Sequence, residues 1–154
     1  IQNFTSVRLH PEGQKFPFDD LANWNKRFST IKVEVGSKKI TTIYRNSKLL
    51  VFSYDSTGML ECLLNDIPFI SFWDPNMRQI KKSAYPYYEK LINAGIIYSS
   101  ALEAAQKVNN VWDDVIGWWN SDNVKKAKIE FSEKYAAAFT KPHQSLANQI
   151  YSPK

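Results

Sequence analysis

The chain has 154 residues, of which 44% are hydrophobic and 23% are charged, and its formal net charge is +5. This composition excludes a disordered chain, and the length suffices for one hydrophobic core. The positive excess is modest and scattered, which favours a small anionic ligand. A nucleic-acid-binding protein would be expected to carry a basic arm or stripe, so we predict no nucleic-acid partner.

Cysteine use and hydropathy restrict the location. Cys62 is the single cysteine, which excludes an internal disulfide framework, and its apolar helical surroundings predict a buried thiol. Neither a signal peptide nor a membrane-spanning apolar run is present. We therefore expect a cytoplasmic protein, whose positive charge permits peripheral contact with the inner membrane. Because the chain begins at Ile1 rather than Met, we expect a fragment of a longer protein.

Strand-like and helix-like segments alternate along the first half of the chain. The predicted elements are a strand at 4–9, a strand at 31–35, a helix from about 38 to 46, a strand at 49–53, a helix at 59–65 and a strand at 67–73. Ser37 is the expected cap of the first of these helices. The continuous apolar run at 49–53 is typical of a central parallel strand that is covered on both faces.

The second half is mainly helical. We predict a helix at 87–94, a strand at 96–98, a helix from 101 to about 112, a helix from about 121 to 139 and a short helix after Pro142. Gly95 and Ser100 are the expected caps that end the first helix and begin the second. The alternation favours an α/β fold with a mostly parallel sheet, in one domain at 1–154, on which the final helices at about 122–152 pack.

Ligands of such sheets bind beyond the carboxyl ends of the strands. Three segments follow strand ends here: His10-Pro11, Tyr54–Gly58 and the loop from Trp73 to Asn76. We expect these segments to converge on one edge of the sheet and to form the binding site there.

The turn from Tyr54 to Gly58 joins a buried strand to a helix. Unpaired N–H groups and the helix dipole favour an anion at such a position, and the hydroxyls of Ser56 and Thr57 can add hydrogen bonds to phosphate. Gly58 lets a ligand approach the backbone. An ordinary helix cap at Asp55 or Ser56 is the alternative. Neither a Walker pattern nor a Gly-x-Gly-x-x-Gly is present.

Five further side chains have a functional and a plain interpretation. His10 suits a phosphate leaving group, with Arg8 adding charge, but it equally fits a loop histidine without a role. Glu61 can accept ribose hydroxyls or favour the helix dipole. Trp73 covers a nucleobase or belongs to the core. Lys81 lines the cleft or, as the sequence favours, lies on a solvated face.

Metal and cofactor chemistry is not indicated. His10 and His143 are the only histidines and lie far apart, and no Asp-x-Asp pattern is present to hold a divalent ion on a nucleotide sugar. We therefore expect no metal and no cofactor. A Ser-His-Asp mechanism also lacks its nucleophile-elbow motif.

The run NSKLLVFSYDSTGMLECLLNDIPFISFWDP resembles the C-terminal, Rossmann-like half of GT-B glycosyltransferases. The whole chain is most similar to bacterial β-Kdo transferases that use CMP-Kdo. This resemblance implies transfer of Kdo, or a related acidic sugar, from a CMP donor to a surface glycan such as O-antigen, lipopolysaccharide or capsule. It also implies a separate N-terminal GT-B domain that binds the acceptor and supplies a catalytic carboxylate.

The resemblance also implies roles for individual residues. His10-Pro11 and Ser56-Thr57 match the motifs that hold the CMP phosphate, and His10 would assist the phosphate leaving group. Glu61 would contact ribose or cytosine. Two alternatives stay open: a GT-B transferase that uses a UDP-, GDP- or TDP-sugar, and a non-catalytic Rossmann-like binding module.

Overall fold

The computed structural model describes residues 4–10, 20–74 and 80–136. Strands and helices alternate along this part of the chain until two further helices close it. The elements are β1 (Ser6–Arg8), α1 (Asp20–Arg27), β2 (Lys32–Glu34), α2 (Ile40–Asn46), β3 (Leu50–Phe52), α3 (Thr57–Leu64), β4 (Phe69–Phe72), α4 (Tyr85–Asn93), β5 (Ile97–Tyr98), α5 (Ala101–Val111), α6 (Val115–Trp119) and α7 (Asp122–Tyr135).

All strand pairs in the described part of the chain are parallel, which confirms the predicted α/β class and is consistent with a Rossmann-like fold. The strands form two small sheets, however: β1 pairs with β2, and the second sheet has the order β3-β4-β5. Phe69 and Ile70 of β4 are fully buried. Successive residues of a strand face opposite sides, so Phe69 packs among α3, α4 and α7 whereas Ile70 packs against α5 and the start of α6.

The prediction that the run at 49–53 is a central strand covered on both faces is wrong. Among the described residues β3 pairs only with β4, and β4 holds the middle of its sheet. Val51 of β3 is 50% exposed. A continuous apolar run shows that side chains on both faces of a strand are apolar, but it does not show which strands pair with it.

Helix ends depend on contacts that lie partly outside the helix. The cap predicted at Ser37 is wrong: its hydroxyl donates to Glu34 at 2.8 Å, and α2 begins only after Lys39. The cap at Ser100 is confirmed, since its hydroxyl accepts from the Glu103 N–H at 3.3 Å. Gly95 follows α4 with φ +70°, as the predicted C-terminal cap requires.

Two helices were not predicted from the sequence. The aromatic segment from Leu21 to Phe28 is one of them, and most of it forms α1. The helix α6 is a single turn begun by Asp114, whose carboxylate accepts from the Gly117 N–H at 2.8 Å. Helix α7 ends at Tyr135, and the expected continuation to 139 and the helix after Pro142 lie outside the described residues.

Four aromatic side chains form a continuous row of rings through the core: Tyr44, Phe52, Phe69 and Trp119. Consecutive ring centroids lie 6.4, 5.8 and 5.5 Å apart, and each pair meets edge to face. This is the geometry that aromatic pairs prefer. The aromatic row runs from α2 across β3 and β4 to α6, so it holds together elements that lie far apart in the sequence.

The thiol of Cys62 on α3 is fully buried, as predicted. Burial, with a smaller contribution from the nearby charge of Glu61, raises its pKa to about 12. This cysteine is therefore an inert core residue. Among the described residues, no helix has the length and apolarity that crossing a membrane requires.

Candidate functional site

The loop between β3 and α3 forms the centre of the candidate site. Ser71 is buried on β4 and donates its hydroxyl to the Phe52 carbonyl at 3.2 Å, which fixes the end of β3. The chain then turns through Tyr54 and Asp55, and Ser56 takes the N-cap position of α3 in an extended conformation. The first N–H groups of α3 have no partner within the helix, so this loop presents donors to an anion.

The hydroxyl of Ser56 distinguishes this cap from an ordinary one. It makes no side-chain cap hydrogen bond. Its Oγ is buried and lacks a hydrogen-bond partner among the described residues. Leaving a buried hydroxyl unsatisfied costs about 1–3 kcal/mol, a cost that a bound oxygen acceptor would remove. Thr57 follows in the first turn of α3, and its side chain is exposed.

Gly58 is buried in that first turn, and its environment gives it a packing role. A Cβ placed on it would lie 2.6 Å from the Tyr44 hydroxyl and 2.8 Å from Cε1 of Phe52. Any side chain at this position would push α3 away from α2 and β3. The structure thus gives Gly58 a packing role, the close approach of α3 to the aromatic row, and the ligand access expected of it stays a prediction.

Tyr44 is the shared neighbour of several predicted site residues, and the sequence did not single it out. Burial, together with the nearby groups Cys62, Glu61 and Tyr54, raises its pKa to about 12, although the charge of Arg8 acts in the opposite direction. The charges of Arg8 and Glu61 thus both reach its hydroxyl, which also lies against Gly58. The sequence signal that could have pointed to Tyr44 is a tyrosine on the apolar face of α2, because its buried ring carries a hydroxyl at the tip.

Arg8 reaches this region through an ion pair. Its guanidinium donates to Glu34 at 2.6 Å and to the Lys38 carbonyl at 3.0 Å. Arg8 and Glu34 are direct partners in the parallel pairing of β1 with β2. The Arg8 side chain is 24% exposed, so it keeps a solvent-facing surface while its guanidinium is held in place.

His10 lies two residues beyond β1 and is exposed. Its predicted companion Pro11 falls outside the described residues, as do Pro75 and Asn76 of the third predicted segment. The role of His10 on a phosphate leaving group stays a prediction.

Trp73, which follows β4, is 8% exposed and belongs to the core. Its ring meets that of Tyr88 edge to face, with centroids 6.2 Å apart. The Tyr88 hydroxyl in turn lies 3.1 Å from both carboxylate oxygens of Asp55 and donates to them. Trp73 therefore takes part in the site through Tyr88, which joins the end of β4 to the loop after β3. This contact between Asp55 and Tyr88 was not predicted from the sequence.

A cleft of about 440 Å³ opens beside Asp55. We call it the aromatic cleft. Its walls come from the start of α3, the segment before α4, and the helices α4 and α7: Asp55, Leu60, Ile80, Lys81, Ala84, Tyr88, Phe131 and Tyr135. This volume falls in the range of small-molecule sites. Lys81 lines this cleft and is exposed, as the solvated face that the sequence favoured requires.

Within residues 4–10, 20–74 and 80–136, no group of three or more His, Cys, Asp or Glu side chains is arranged to hold a metal ion. The metal-independence expected from the sequence stays a prediction.

The model of a family described as LIC12162 family transferase matches residues 1–150. No curated protein matches the chain. No solved structure matches it either.

Proposed function

Because the chain belongs to the LIC12162 family of transferases, we propose that it is the donor-binding half of a GT-B glycosyltransferase. The proposed reaction moves Kdo, or a related acidic sugar, from a CMP donor to a bacterial surface glycan. The acceptor and a catalytic carboxylate belong to a separate N-terminal domain, and the proposed location is the cytoplasmic side of the inner membrane.

The observation that carries this proposal is the Ser56 hydroxyl. It is buried and lacks a partner among the described residues, and it stands at the N-terminus of a helix that follows a parallel strand. That position attracts anions because helix N–H groups and the helix dipole point there. A phosphate oxygen would accept from Ser56 Oγ and from the first N–H groups of α3.

The charges around the loop support a phosphate ligand with a sugar attached. Arg8, held by its ion pair with Glu34, contributes positive charge near the Tyr44 hydroxyl, against which α3 packs. Glu61 stands one turn into α3 with an exposed side chain, suited to accept ribose hydroxyls. His10 would donate a hydrogen bond to the phosphate as the bond between sugar and phosphate breaks, which stabilises the charge that develops on the leaving group.

Calorimetry of this chain with CMP tests the proposal. We expect Ser56→Ala and His10→Ala each to weaken CMP binding about tenfold, which corresponds to about 1.4 kcal/mol, the loss expected for one hydrogen bond to a charged group. Ser100→Ala is the matched control, because Ser100 also caps a helix after a parallel strand but bonds to Glu103. We expect it to leave CMP affinity unchanged.

Three outcomes would count against the proposal in different ways. Equal CMP affinity for the wild type and both site variants would contradict the phosphate site. Clear preference for UDP, GDP or TDP over CMP would favour a transferase with another donor. Absence of binding to any of these nucleotides would favour a non-catalytic module.

A further inference from the structure

We propose that Tyr88 of α4 is a positioning residue for the loop between β3 and α3: by holding Asp55, it keeps the following residue, Ser56, in the conformation that leaves its hydroxyl available to an anion. This inference rests on the proposed function, since it assumes that the donor phosphate lies at Ser56. It assigns a role in binding to a side chain that lies 33 residues beyond Asp55 in the sequence and that acts without touching the ligand.

The core of the fold fixes the ring of Tyr88. Trp73, which follows β4, meets this ring edge to face with centroids 6.2 Å apart, and Phe131 of α7 meets it in the same way at 5.1 Å. Both neighbours are buried, with 8% and 1% of their surface exposed. Because edge-to-face contacts restrict the orientation of a ring, the position of the Tyr88 hydroxyl is set by the core rather than by the loop.

The Tyr88 hydroxyl donates to Asp55 in a bridging geometry. It lies 3.1 Å from each of the two carboxylate oxygens, and hydrogen bonds to a charged acceptor are stronger than those between neutral groups. Burial, together with the charge of Asp55 and this hydrogen bond, raises the pKa of Tyr88 well above its usual range. The phenol therefore keeps its proton at neutral pH and remains a donor to the loop.

The two serine caps show what is unusual at Ser56. Ser56 and Ser100 have similar backbone angles, with φ −126° and ψ 156° at the first and φ −139° and ψ 153° at the second. The Ser100 hydroxyl accepts from the N–H three residues later, that of Glu103. At α3 the corresponding N–H, that of Met59, donates to the Ser56 carbonyl at 3.1 Å. The path of the backbone into α3 thus leaves the Ser56 hydroxyl without a cap hydrogen bond.

Asp55 connects this backbone path to Tyr88. It directly precedes Ser56, and its carboxylate is bound by a hydroxyl that the core fixes. Since consecutive Cα atoms are only about 3.8 Å apart, a displacement of Asp55 also displaces Ser56. The negative charge of Asp55 by itself disfavours a phosphate nearby, because like charges repel. Its contribution to anion binding is therefore the position that it gives to the backbone.

Calorimetry with CMP on this chain and its variants tests the inference. We expect Tyr88→Phe to weaken CMP binding about threefold, a smaller factor than for Ser56→Ala, because the Ser56 hydroxyl remains and Asp55 keeps a further interaction. Asp55→Asn and Asp55→Ala both remove the charge, but only the amide oxygen can still accept from Tyr88. We therefore expect Asp55→Asn to bind CMP about threefold more tightly than Asp55→Ala, a difference that the loss of charge does not produce.

A double-mutant cycle shows whether Tyr88 acts through Ser56. In a Ser56→Ala background, Tyr88→Phe should cause no further loss of CMP affinity, because the hydroxyl that it positions is gone, whereas the effects of independent sites would add. Tyr87→Phe is the matched control, since Tyr87 also lies on α4 and packs on α7, with its ring centroid 5.4 Å from that of Tyr135. We expect it to keep the wild-type affinity.

Wild-type CMP affinity in a folded Tyr88→Phe variant, with Ser56→Ala weakened, would overturn the positioning role and leave the proposed function standing. Additive losses in the double variant would also overturn the positioning role. Should Tyr88→Phe fail to fold, equal CMP affinities of Asp55→Asn and Asp55→Ala would overturn it. Absence of CMP binding to the wild type would overturn both the positioning role and the proposed function.

Discussion

Lys128 Nζ lies 2.7 Å from Asp66 Oδ1 and 4.0 Å from the centroid of the Trp119 ring. The indole N–H of Trp119 donates to the same Asp66 oxygen at 2.8 Å. The Lys128 side chain is 10% exposed and that of Asp66 is 69% exposed. One carboxylate at the end of α3 therefore binds a buried ammonium of α7 and an indole of α6, and it joins the three helices.

This arrangement predicts an asymmetry between its two charged residues. Asp66→Asn should lower the free energy of unfolding by about 2 kcal/mol, because it leaves the buried Lys128 charge without a counter-charge; the exposure of Asp66 keeps the loss below that of a fully buried pair. Lys128→Met should cost less than about 1 kcal/mol, since it removes the charge that needs a partner. Urea denaturation of both variants measures the difference.

The double variant is the control for this pair. Once Lys128 is Met, Asp66→Asn should have little further effect, because Asn still accepts from Trp119 and tolerates the positive φ of 51° at this position. Equal losses of unfolding free energy in Asp66→Asn and Lys128→Met would contradict the role of Asp66 as the counter-charge of the buried Lys128.

Glu34 predicts a dependence of stability on pH. Burial by itself would raise its pKa, but hydrogen bonds from the Lys38 N–H, the Ser37 hydroxyl and the Gly36 N–H, with the charge of Arg8, lower it from 4.5 to about 2. Because the pKa is lower in the folded state, the stabilisation is complete above pH 4.5 and is lost as the pH falls toward about 2.

Thermal unfolding of the wild type and of Glu34→Gln across this range measures the effect. The stability difference between the two proteins should be constant above pH 4.5 and shrink steadily below it. Glu89→Gln controls for the loss of one negative charge. A difference that stays constant down to pH 2 would show that Glu34 does not hold this part of the fold.

From the close packing around Gly58 we predict that Gly58→Ala destabilises the fold and that Tyr44→Phe relieves part of the effect. Gly58→Ala should lower the free energy of unfolding by about 1–3 kcal/mol, the usual cost of overpacking, because the added Cβ meets the Tyr44 hydroxyl and Phe52. Removing that hydroxyl with Tyr44→Phe should recover part of the loss. Thr57→Ala, at an exposed position one residue earlier, should change stability by less than about 0.5 kcal/mol. If the stability losses of Gly58→Ala and Tyr44→Phe simply add in the double variant, the proposed clash between the new Cβ and the Tyr44 hydroxyl is refuted.

We predict that alanine substitutions at the two N-cap serines, Ser56 and Ser100, have different effects on stability in the absence of ligand. Ser100→Ala should cost about 1 kcal/mol, because it removes a cap hydrogen bond to Glu103. Ser56→Ala should be neutral or stabilising, because it removes a buried hydroxyl that lacks a partner among the described residues. Melting temperatures without nucleotide compare the two. A loss in Ser56→Ala as large as in Ser100→Ala would indicate that Ser56 caps α3 in the ordinary way.

The sequence predicted those features that depend on neighbouring residues. The alternation of strands and helices, the cap at Ser100 and the loop before α3 all follow from short patterns. Ser37 shows the limit of such patterns: it precedes a helix as Ser100 does, but its hydroxyl donates to Glu34 from the preceding strand. The predicted cap failed because a partner outside the helix competed for the side chain.

The candidate site likewise contains features that the sequence predicts and features that it does not. The position of Ser56 could be predicted, since the strand, the turn and the helix are contiguous in sequence. The contact between Asp55 and Tyr88 spans 33 residues, and no periodicity connects its two members. The same holds for Tyr44, whose hydroxyl contacts α3 only because the aromatic row brings α2 against β3.

The aromatic row also bears on which parts of this chain can vary in sequence during evolution. Its rings fix α3 against β3 by shape rather than by polar contacts, so the position of the loop between β3 and α3 tolerates little variation in ring volume at Phe52 or Phe69. The aromatic cleft, in contrast, takes its polar character from side chains at its edge, such as Lys81. Substitutions at that edge can therefore alter the charge of the cleft, while the loop beside it keeps its geometry.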